Sequence, residues 1–556
     1  MLRAFLDPHI DVRRWFPPRY WLFAGCVLLC LASLYAMQLD RSWGWSAGLF
    51  GALSLIGVWD VFISRSTVSR NYPILARMRY FLESIGPQIR QYFIEADVDE
   101  RPFSREQRDL VYQRATDTMD LKPFGTLIHV YGDEYEWINH SLAPVHIDSH
   151  DFRLVIGEGR AQPYSASVFN ISAMSFGAIS PNAIRALNAG ARRGGFYHDT
   201  GEGSISSYHR ENGGDIVWEI GSGYFGCRNA DGGFDEACFV ANAVTPQVKM
   251  IEIKLSQGAK PGHGGVLPGA KVNREIAAAR GVPEGVDCVS PARHSAFSTP
   301  LQLLEFVDRL RTLSGGKPVG FKLAIGHPWE WFGIARAMQE SGLLPDFIVV
   351  DGAEGGTGAA PMEFVNHVGT PLREALMLVH NTLVGLDLRD RVRIGAAGKI
   401  TSAFDMARML ALGADWCNAA RGYMFALGCI QAQKCHTDRC PSGVATQDAR
   451  RWRSLDVGDK ATRVFQFHQA TLDALRELLG AAGLEHPQQV GPEHILRRVS
   501  STSIHSLATL YPFLRSGELL QGMPEHAVFK AFWNDARSDT FAPPARIYTM
   551  RSAKTH

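Results

Sequence analysis

The 556-residue sequence predicts a closed (β/α)8 barrel of the TIM type, preceded by a two-helix transmembrane hairpin. Three observations carry that expectation. Short apolar, β-branched runs alternate with helical patterns through the middle of the chain, as βα units on a parallel sheet require. Eight such runs can be counted, the number at which a parallel barrel closes. Ahead of them stand two uncharged, mostly apolar stretches, each near the length needed to cross a bilayer. An open, doubly wound sheet is the fold-level alternative.

The length exceeds the usual single core, which points to one large domain with attachments. With 57 basic against 56 acidic residues the net charge is +1, and there is no basic stripe. Nucleic acid is therefore excluded as an expected partner. The 9 cysteines are scattered apart from one run, so they do not form a secreted disulfide framework.

Residues 1–19 are read as a cytoplasmic segment and residues 20–63 as the hairpin. The first apolar stretch lies between Arg19 and Asp40; the second, Ser42 to Trp59, carries Trp43, Trp45 and Trp59 near its ends, where an aromatic belt forms. Arg3, Arg13, Arg14 and Arg19 precede the pair, and Arg65, Arg70, Arg77 and Arg79 follow it. The positive-inside rule puts both flanks in the cytoplasm, so the expected location is the cytoplasmic (inner) membrane with the main domain inside. A cleaved signal peptide is disfavoured by the second stretch. Residues 64–162 read as a helical connector punctuated by Pro73, Pro87 and Pro102, with a helical pattern from Ile74 to Phe93.

The barrel is assigned to residues 163–450. Its expected strands are Ser167 to Ala173, Phe196 to Thr200, Ile216 to Ile220, Val248 to Leu255, Val319 to Leu323, Phe347 to Asp351, Val392 to Ala396 and Asp415 to Ala419. Barrel chemistry belongs at the C-terminal strand ends, and the polar and glycine clusters fall there. The first strand ends in Ala173-Met174-Ser175, the second in Thr200-Gly-Glu202-Gly, and the fourth runs through Lys254 to Gln257 and Lys260. Lys322 lies within the fifth strand, where a buried amine needs a partner: either a structural ion pair with a neighbouring strand or a functional role. Glu202 reads either as a positioned carboxylate or as a capping acid. The sixth strand runs into Gly355-Gly356-Thr357-Gly358, the seventh into Gly398-Lys399, and the eighth into Arg421-Gly422. Barrels often hold a phosphate on the last two loops, and the clusters together favour a phosphate-bearing cofactor.

The run Cys429-Ile-Gln-Ala-Gln-Lys-Cys435-His-Thr-Asp-Arg-Cys440-Pro-Ser-Gly-Val-Ala-Thr-Gln447 places three thiols where they can ligate one iron-sulfur cluster, three ligands fitting a three-iron cluster better than a four-iron one. A structural zinc site with His436 as fourth ligand is the alternative, although zinc motifs favour close Cys pairs. A thiol-ligated cluster favours a reducing compartment.

Six ordered motifs resemble the synthase domain of the glutamate synthases. They are Met174-Ser-Phe-Gly-Ala-Ile-Ser180, Thr200-Gly-Glu-Gly203, Gly221-Ser-Gly-Tyr-Phe-Gly226, Gln257-Gly-Ala-Lys-Pro-Gly262, Gly355-Gly-Thr-Gly358 and the cysteine run, covering roughly Ser167 to Gln447. The resemblance implies FMN and a 3Fe-4S cluster, with Cys429, Cys435 and Cys440 as iron ligands. It further implies addition of ammonia to 2-oxoglutarate and hydride delivery to the resulting imine. Ala173, Met174, Ser175, Lys254, Gly355, Gly356, Thr357, Gly398, Arg421 and Gly422 fall at the cofactor positions, and Gln257 and Lys260 at 2-oxoglutarate. Lys322 is expected beside the flavin N1–C2=O edge, with Glu202 as the second catalytic candidate; tuning of this kind is what a protein contributes to cofactor chemistry.

The chain departs from the family pattern at His263 and Val266, where glutamate and then glutamine are typical. It carries neither the N-terminal cysteine nucleophile of a glutaminase domain nor length for the long C-terminal β-helix, so ammonia is expected from solution or a partner. Substrate is expected to be a 2-oxo acid or amino acid, and the electron donor a ferredoxin, a reductase subunit or a quinone-linked partner. Residues 451–556 read as a helical extension and tail, amphipathic from Thr462 to Leu479. The competing reading is a membrane-tethered flavin and iron-sulfur electron-transfer subunit without 2-oxo acid chemistry.

Overall fold

The computed structural model describes residues 17–83 and 101–547. Two apolar helices open it, α1 (Trp21–Ala36) and α2 (Gly44–Val58), packed against each other as an antiparallel pair. With their flanking turns they span Pro18–Ala36 and Arg41–Ile63, 19 and 23 residues, long and apolar enough to cross a membrane. Arg3, Arg13 and Arg14 lie outside the described residues. The base of the hairpin rests on the segment following the cysteine run: Arg19 Nη1 is 3.9 Å from Asp448 Oδ2, and Asn71 Nδ2 donates to Arg451 O at 3.3 Å. Residues 75–83 are helical, and the rest of the pattern expected as far as Phe93 lies outside the described residues.

The middle of the chain closes into a barrel of eight parallel strands. They are β1 (Phe169–Ile171), β2 (His198–Asp199), β3 (Ile216–Ile220), β4 (Val248–Lys254), β5 (Val319–Leu323), β6 (Phe347–Asp351), β7 (Arg393–Ala397) and β8 (Trp416–Ala419). β8 pairs with β1 through Asn418 and Asn170, which closes the cylinder and rules out the open sheet. β3 and β5 are buried at every residue, as strands covered on both faces must be, and each appears as an apolar run broken by one charged residue, Glu219 in β3 and Lys322 in β5. β1 and β2 are shorter than the sequence suggests. The polar Asn170 lies within β1, and β2 consists of His198 and Asp199 alone.

Helix α4 (Pro181–Gly194) follows β1. Its boundaries follow from local chemistry: Ser180 accepts from Ala183 N–H, Pro181 starts the first turn, and Gly195 ends it in the left-handed region. Helix α5 (Val457–Ala481), longer than the expected Thr462 to Leu479, packs along α4. From α5, His468 Nε2 donates to Phe169 O at 3.0 Å, with Ser167 Oγ 3.1 Å away, so the extension is part of the barrel wall.

Two segments expected to be helical carry strands as well. The connector holds helix α3 (Arg105–Ala115) but also Glu136–Ile138, which pairs antiparallel with Ile495–Ser500 of the C-terminal extension, itself joined to Ser503–Ser506. The partners lie more than three hundred residues apart, so no local pattern announces the pairing.

Candidate active site at the barrel mouth

A single pocket at the C-terminal ends of the strands gathers nearly all the residues singled out from the sequence. Ala173, Met174 and Ser175 line it after β1, Glu202 after β2, and Lys254, Gln257 and Lys260 from β4 onward. Lys322 enters from β5, Gly355, Gly356 and Thr357 from the loop after β6, Gly398 from that after β7, and Arg421 and Gly422 from that after β8. Cys435 reaches the lining; Cys429 and Cys440 lie behind it.

Glu202 and Lys254 form one half-buried pair, Nζ to Oε1 3.0 Å, and the ammonium outweighs desolvation to hold the Glu202 carboxyl below its usual range. A side-chain carbon at Gly221 would stand 2.8 Å from Glu202 Oε2, and one at Gly265 2.6 Å from Oε1. Two glycines thus make room for this carboxylate. Gly265 belongs to the segment in which the chain departs from the family pattern. Beside it, His263 is exposed, donates through Nδ1 to Gly264 O at 2.8 Å and meets Phe364 edge-on, while Val266 is 41 % exposed. Neither replaces a polar contact inside the pocket.

Lys260 is buried, and that burial, with Lys254 nearby, lowers its ammonium from the usual value while Glu202 works in the opposite sense. Lys322 pairs with Glu219 and lies 3.5 Å from Glu252 Oε1. Burial opposes its charge, but Glu219, Glu252, Asp199 and Asp351 outweigh that and hold it well above the ordinary lysine range. Both readings of Lys322 therefore meet in one side chain: it is ion-paired, to Glu252 of the neighbouring β4 and to Glu219 of β3 beyond it, and it lines the pocket.

On the far side, Arg421 Nη2 donates to Thr357 O at 3.2 Å and its guanidinium lies over Gly356. A side-chain carbon at Gly356 would come within 2.5 Å of Nη2. Arg421 thus ties the loop after β8 to that after β6, and Ala397, Gly398 and Lys399 of the loop after β7 line the same pocket.

The three cysteines are free thiols on one loop. Tyr112 of the connector donates to Cys429 O at 2.6 Å, Lys271 Nζ donates to Cys435 O at 2.8 Å, and Cys440 Sγ lies 3.4 Å from Ser442 Oγ. Burial pushes the Cys429 thiol up to about 12 and raises that of Cys435, with Cys440 adding to both and Arg421 opposing.

Sequence reasoning missed the carboxylates beneath the pocket. Asp199, Glu219 and Glu252 are the only set of three or more His, Cys, Asp or Glu side chains, among the described residues, with ligand atoms within 4.8 Å of one another. A charged residue inside an otherwise apolar run, as in Ile-Val-Trp-Glu219-Ile and Met-Ile-Glu252-Ile, was the available signal. Lys271, at the end of a 3-10 turn, and Arg280, at the end of the short helix Arg274–Arg280, also line the pocket and carry no such signal.

Fold and site define an enzyme built on a (β/α)8 barrel, its charged groups and glycine loops converging at the C-terminal mouth. The model for the conserved region in glutamate synthase matches residues 133–485, more than half of the chain. The chain is 37 % identical over 486 residues to the glutamate synthase large subunit-like protein YerD of Bacillus subtilis, covering 80 % of this chain and 92 % of that one. It is 36 % identical over 315 residues to the archaeal glutamate synthase (NADPH) of Methanocaldococcus jannaschii, 56 % of this chain and 58 % of that one. Against the glutamate synthase (NADPH) large chain of Bacillus subtilis, 32 % identity over 346 residues spans 61 % of this chain but 21 % of the relative. The chain belongs to the glutamate synthase family and is a glutamate synthase-like oxidoreductase.

Proposed function

We propose that the chain reductively aminates 2-oxoglutarate or a related 2-oxo acid to the amino acid, using FMN at the barrel mouth and a 3Fe-4S cluster on the cysteine loop. The observation that carries this reading is the convergence of Lys254, Gln257, Lys260, Lys322 and Arg421 with the glycine loops in one pocket that Cys435 also reaches.

The residues fit the groups. Gly356 under Arg421, with Gly398 and Gly422 nearby, leaves main chain open to a phosphate beside a cation, a role suited to a planar guanidinium. The three cysteines are free thiols on one loop, and Cys435 reaches the lining of the pocket, in keeping with a cluster beside the cofactor. The raised thiols of Cys429 and Cys435 need a counter-charge to ionise, which iron would supply. When bound, FMN supplies the hydride.

The protein's own groups do the rest. Lys260 takes a substrate carboxylate as a point charge, its partial desolvation strengthening the contact. Gln257 orients the same substrate. Glu202 stays ionised against Lys254, so it fixes that ammonium toward the cofactor ring. Lys322 presents positive charge to the ring edge from the barrel floor.

The hairpin is read as an anchor in the cytoplasmic membrane with the barrel on the cytoplasmic side. Ammonia comes from solution or a partner, and electrons from a ferredoxin or a reductase subunit. Replacing Lys260 by Ala tests the substrate assignment: 2-oxoglutarate affinity, read from the perturbed flavin spectrum, should fall about tenfold, roughly 1.4 kcal/mol, with flavin content unchanged. Unchanged affinity would remove Lys260 from the substrate site.

A further inference from the structure

The floor of the pocket is a layer of ionisable groups, of which the proposed reaction uses only Lys322. Asp199 on β2, Glu219 on β3, Glu252 on β4 and Asp351 at the end of β6 surround that lysine. Asp199, Glu219 and Glu252 are 2 %, 1 % and 1 % exposed, so bulk water does not solvate their charge. Lys322 pairs with Glu219 and lies 3.5 Å from Glu252 Oε1, and both Lys322 and Glu219 line the pocket. The layer is thus in contact with whatever occupies the mouth.

Four carboxyl groups share one ammonium. The other groups facing them do not make up the difference. Lys254 is engaged by Glu202, and Tyr197 donates its hydroxyl proton to Asn418 Oδ1 at 2.7 Å. Asp199 Oδ1 accepts from Gly201 N–H at 2.9 Å, and Asp351 Oδ2 accepts from Gly258 N–H at 2.8 Å. Thr200 Oγ1 donates to Gly201 O and accepts from Glu219 N–H. Glu252 Oε1 is buried without any hydrogen-bond partner. Carboxylates crowded at this separation cannot all ionise, and one of a close pair keeps its proton. Burial first, then Asp199, holds Glu252 well above the usual carboxylate range; burial first, then Glu219, lifts Asp199 to about 7. Asp351 is pushed up to about 6, by burial against the pull of Lys322.

We propose that Glu252 holds one proton at rest and that Asp199 takes up a second from solvent when negative charge arrives on the cofactor above Lys322. The proton lands on a carboxylate oxygen; no bond to carbon changes and no electron enters the layer. The uptake keeps the floor from opposing the charge that Lys322 stabilises. Asp199 and Glu252 are then positioning residues, acting on the ring through Lys322 and Glu219. This inference rests on the flavin reading for its second proton and is independent of it for the first.

Infrared spectroscopy of the full-length protein in detergent reads both. At pH 8, with or without flavin, a protonated-carboxyl stretch should be present that shifts when glutamate is 13C-labelled and disappears in Glu252→Gln. On photoreduction of the flavin-loaded protein, a second such band should grow, shift with 13C-aspartate, and be absent in Asp199→Asn. Labelling assigns both bands in the wild type, so the result stands even where a variant fails to fold. Absence of the glutamate band, or a carboxyl region unmoved by reduction in protein whose FMN is confirmed by acid release, overturns the inference. Failure to bind FMN sinks the functional reading instead, and leaves the glutamate band to decide the first proton.

Discussion

Replacing Lys322 by Met removes the one ammonium from the carboxylate layer and leaves a side chain of similar length. At the 3.5 Å that separates Nζ from Glu252 Oε1, and with an effective dielectric of ~20, that attraction alone is about 5 kcal/mol. Part returns when a stranded carboxylate takes a proton, so the net loss should be about 3–5 kcal/mol, the usual cost of breaking a buried pair. The loss depends on pH with a definite sign. Carboxyls whose folded pKa is raised bind a proton more tightly folded than unfolded, so their contribution is present below the ordinary carboxylate range and lost as pH rises through the folded value. Asp199, lifted to about 7 with Lys322 still present, places that window between about pH 4 and 7, and removing the lysine extends it upward. Lys322→Met should therefore lose roughly 1.4 kcal/mol more per pH unit for each proton held. Urea midpoints by tryptophan fluorescence at pH 5.5 and 8, on the full chain in detergent, give both numbers. Adding Glu219→Gln should restore at least half. A variant within about 1 kcal/mol of wild type at both pH values, or an equal deficit at both, would refute the placement of one cation among these acids.

Three further outcomes follow from particular contacts. Gly356→Ala puts a methyl 2.5 Å from Arg421 Nη2; the flexible guanidinium moves aside, so stability should change by under about 1 kcal/mol while FMN dissociates about tenfold more readily, read by fluorescence of released flavin. Cys435→Ser should lose iron, measured by atomic absorption, and keep flavin; equal loss of both or of neither sinks the ligand assignment. His468 is buried and neutral, its imidazole pushed down to about 3 by burial, whereas the unfolded residue protonates near 6.5. Stability from this residue is present above about 6.5 and lost as pH falls, by roughly 2 kcal/mol at pH 5. His468→Gln, though less stable at pH 7, should show a pH 7-to-5 loss smaller by that amount in thermal scans at each pH.

The parts of the barrel legible in the sequence were those whose environment is uniform. β3, β5 and β6 occupy the residues their apolar runs mark, because strands buried on both faces leave a run broken by only one charged residue each. The mouth was legible for a related reason: chemistry after parallel strands falls in loops at one end, so order along the chain maps onto proximity. The carboxylate layer did not show. Glu219 and Lys322 are 103 residues apart, and whether they meet depends on the barrel register, in which Gly320 pairs with Glu252 and Lys322 with Lys254. Sequence periodicity says nothing about register across separate strands. The pairing of Glu136–Ile138 with Ile495–Ser500 escaped for the same reason.

The most direct test of the account is an anaerobic absorption spectrum of the detergent-purified chain, photoreduced and then mixed with 2-oxoglutarate and ammonium, each alone serving as control. The account predicts flavin reoxidation only when both are present, with one amino acid formed per flavin reoxidised. Absence of reoxidation with either mixture, in protein confirmed to carry FMN and iron, would contradict 2-oxoglutarate amination.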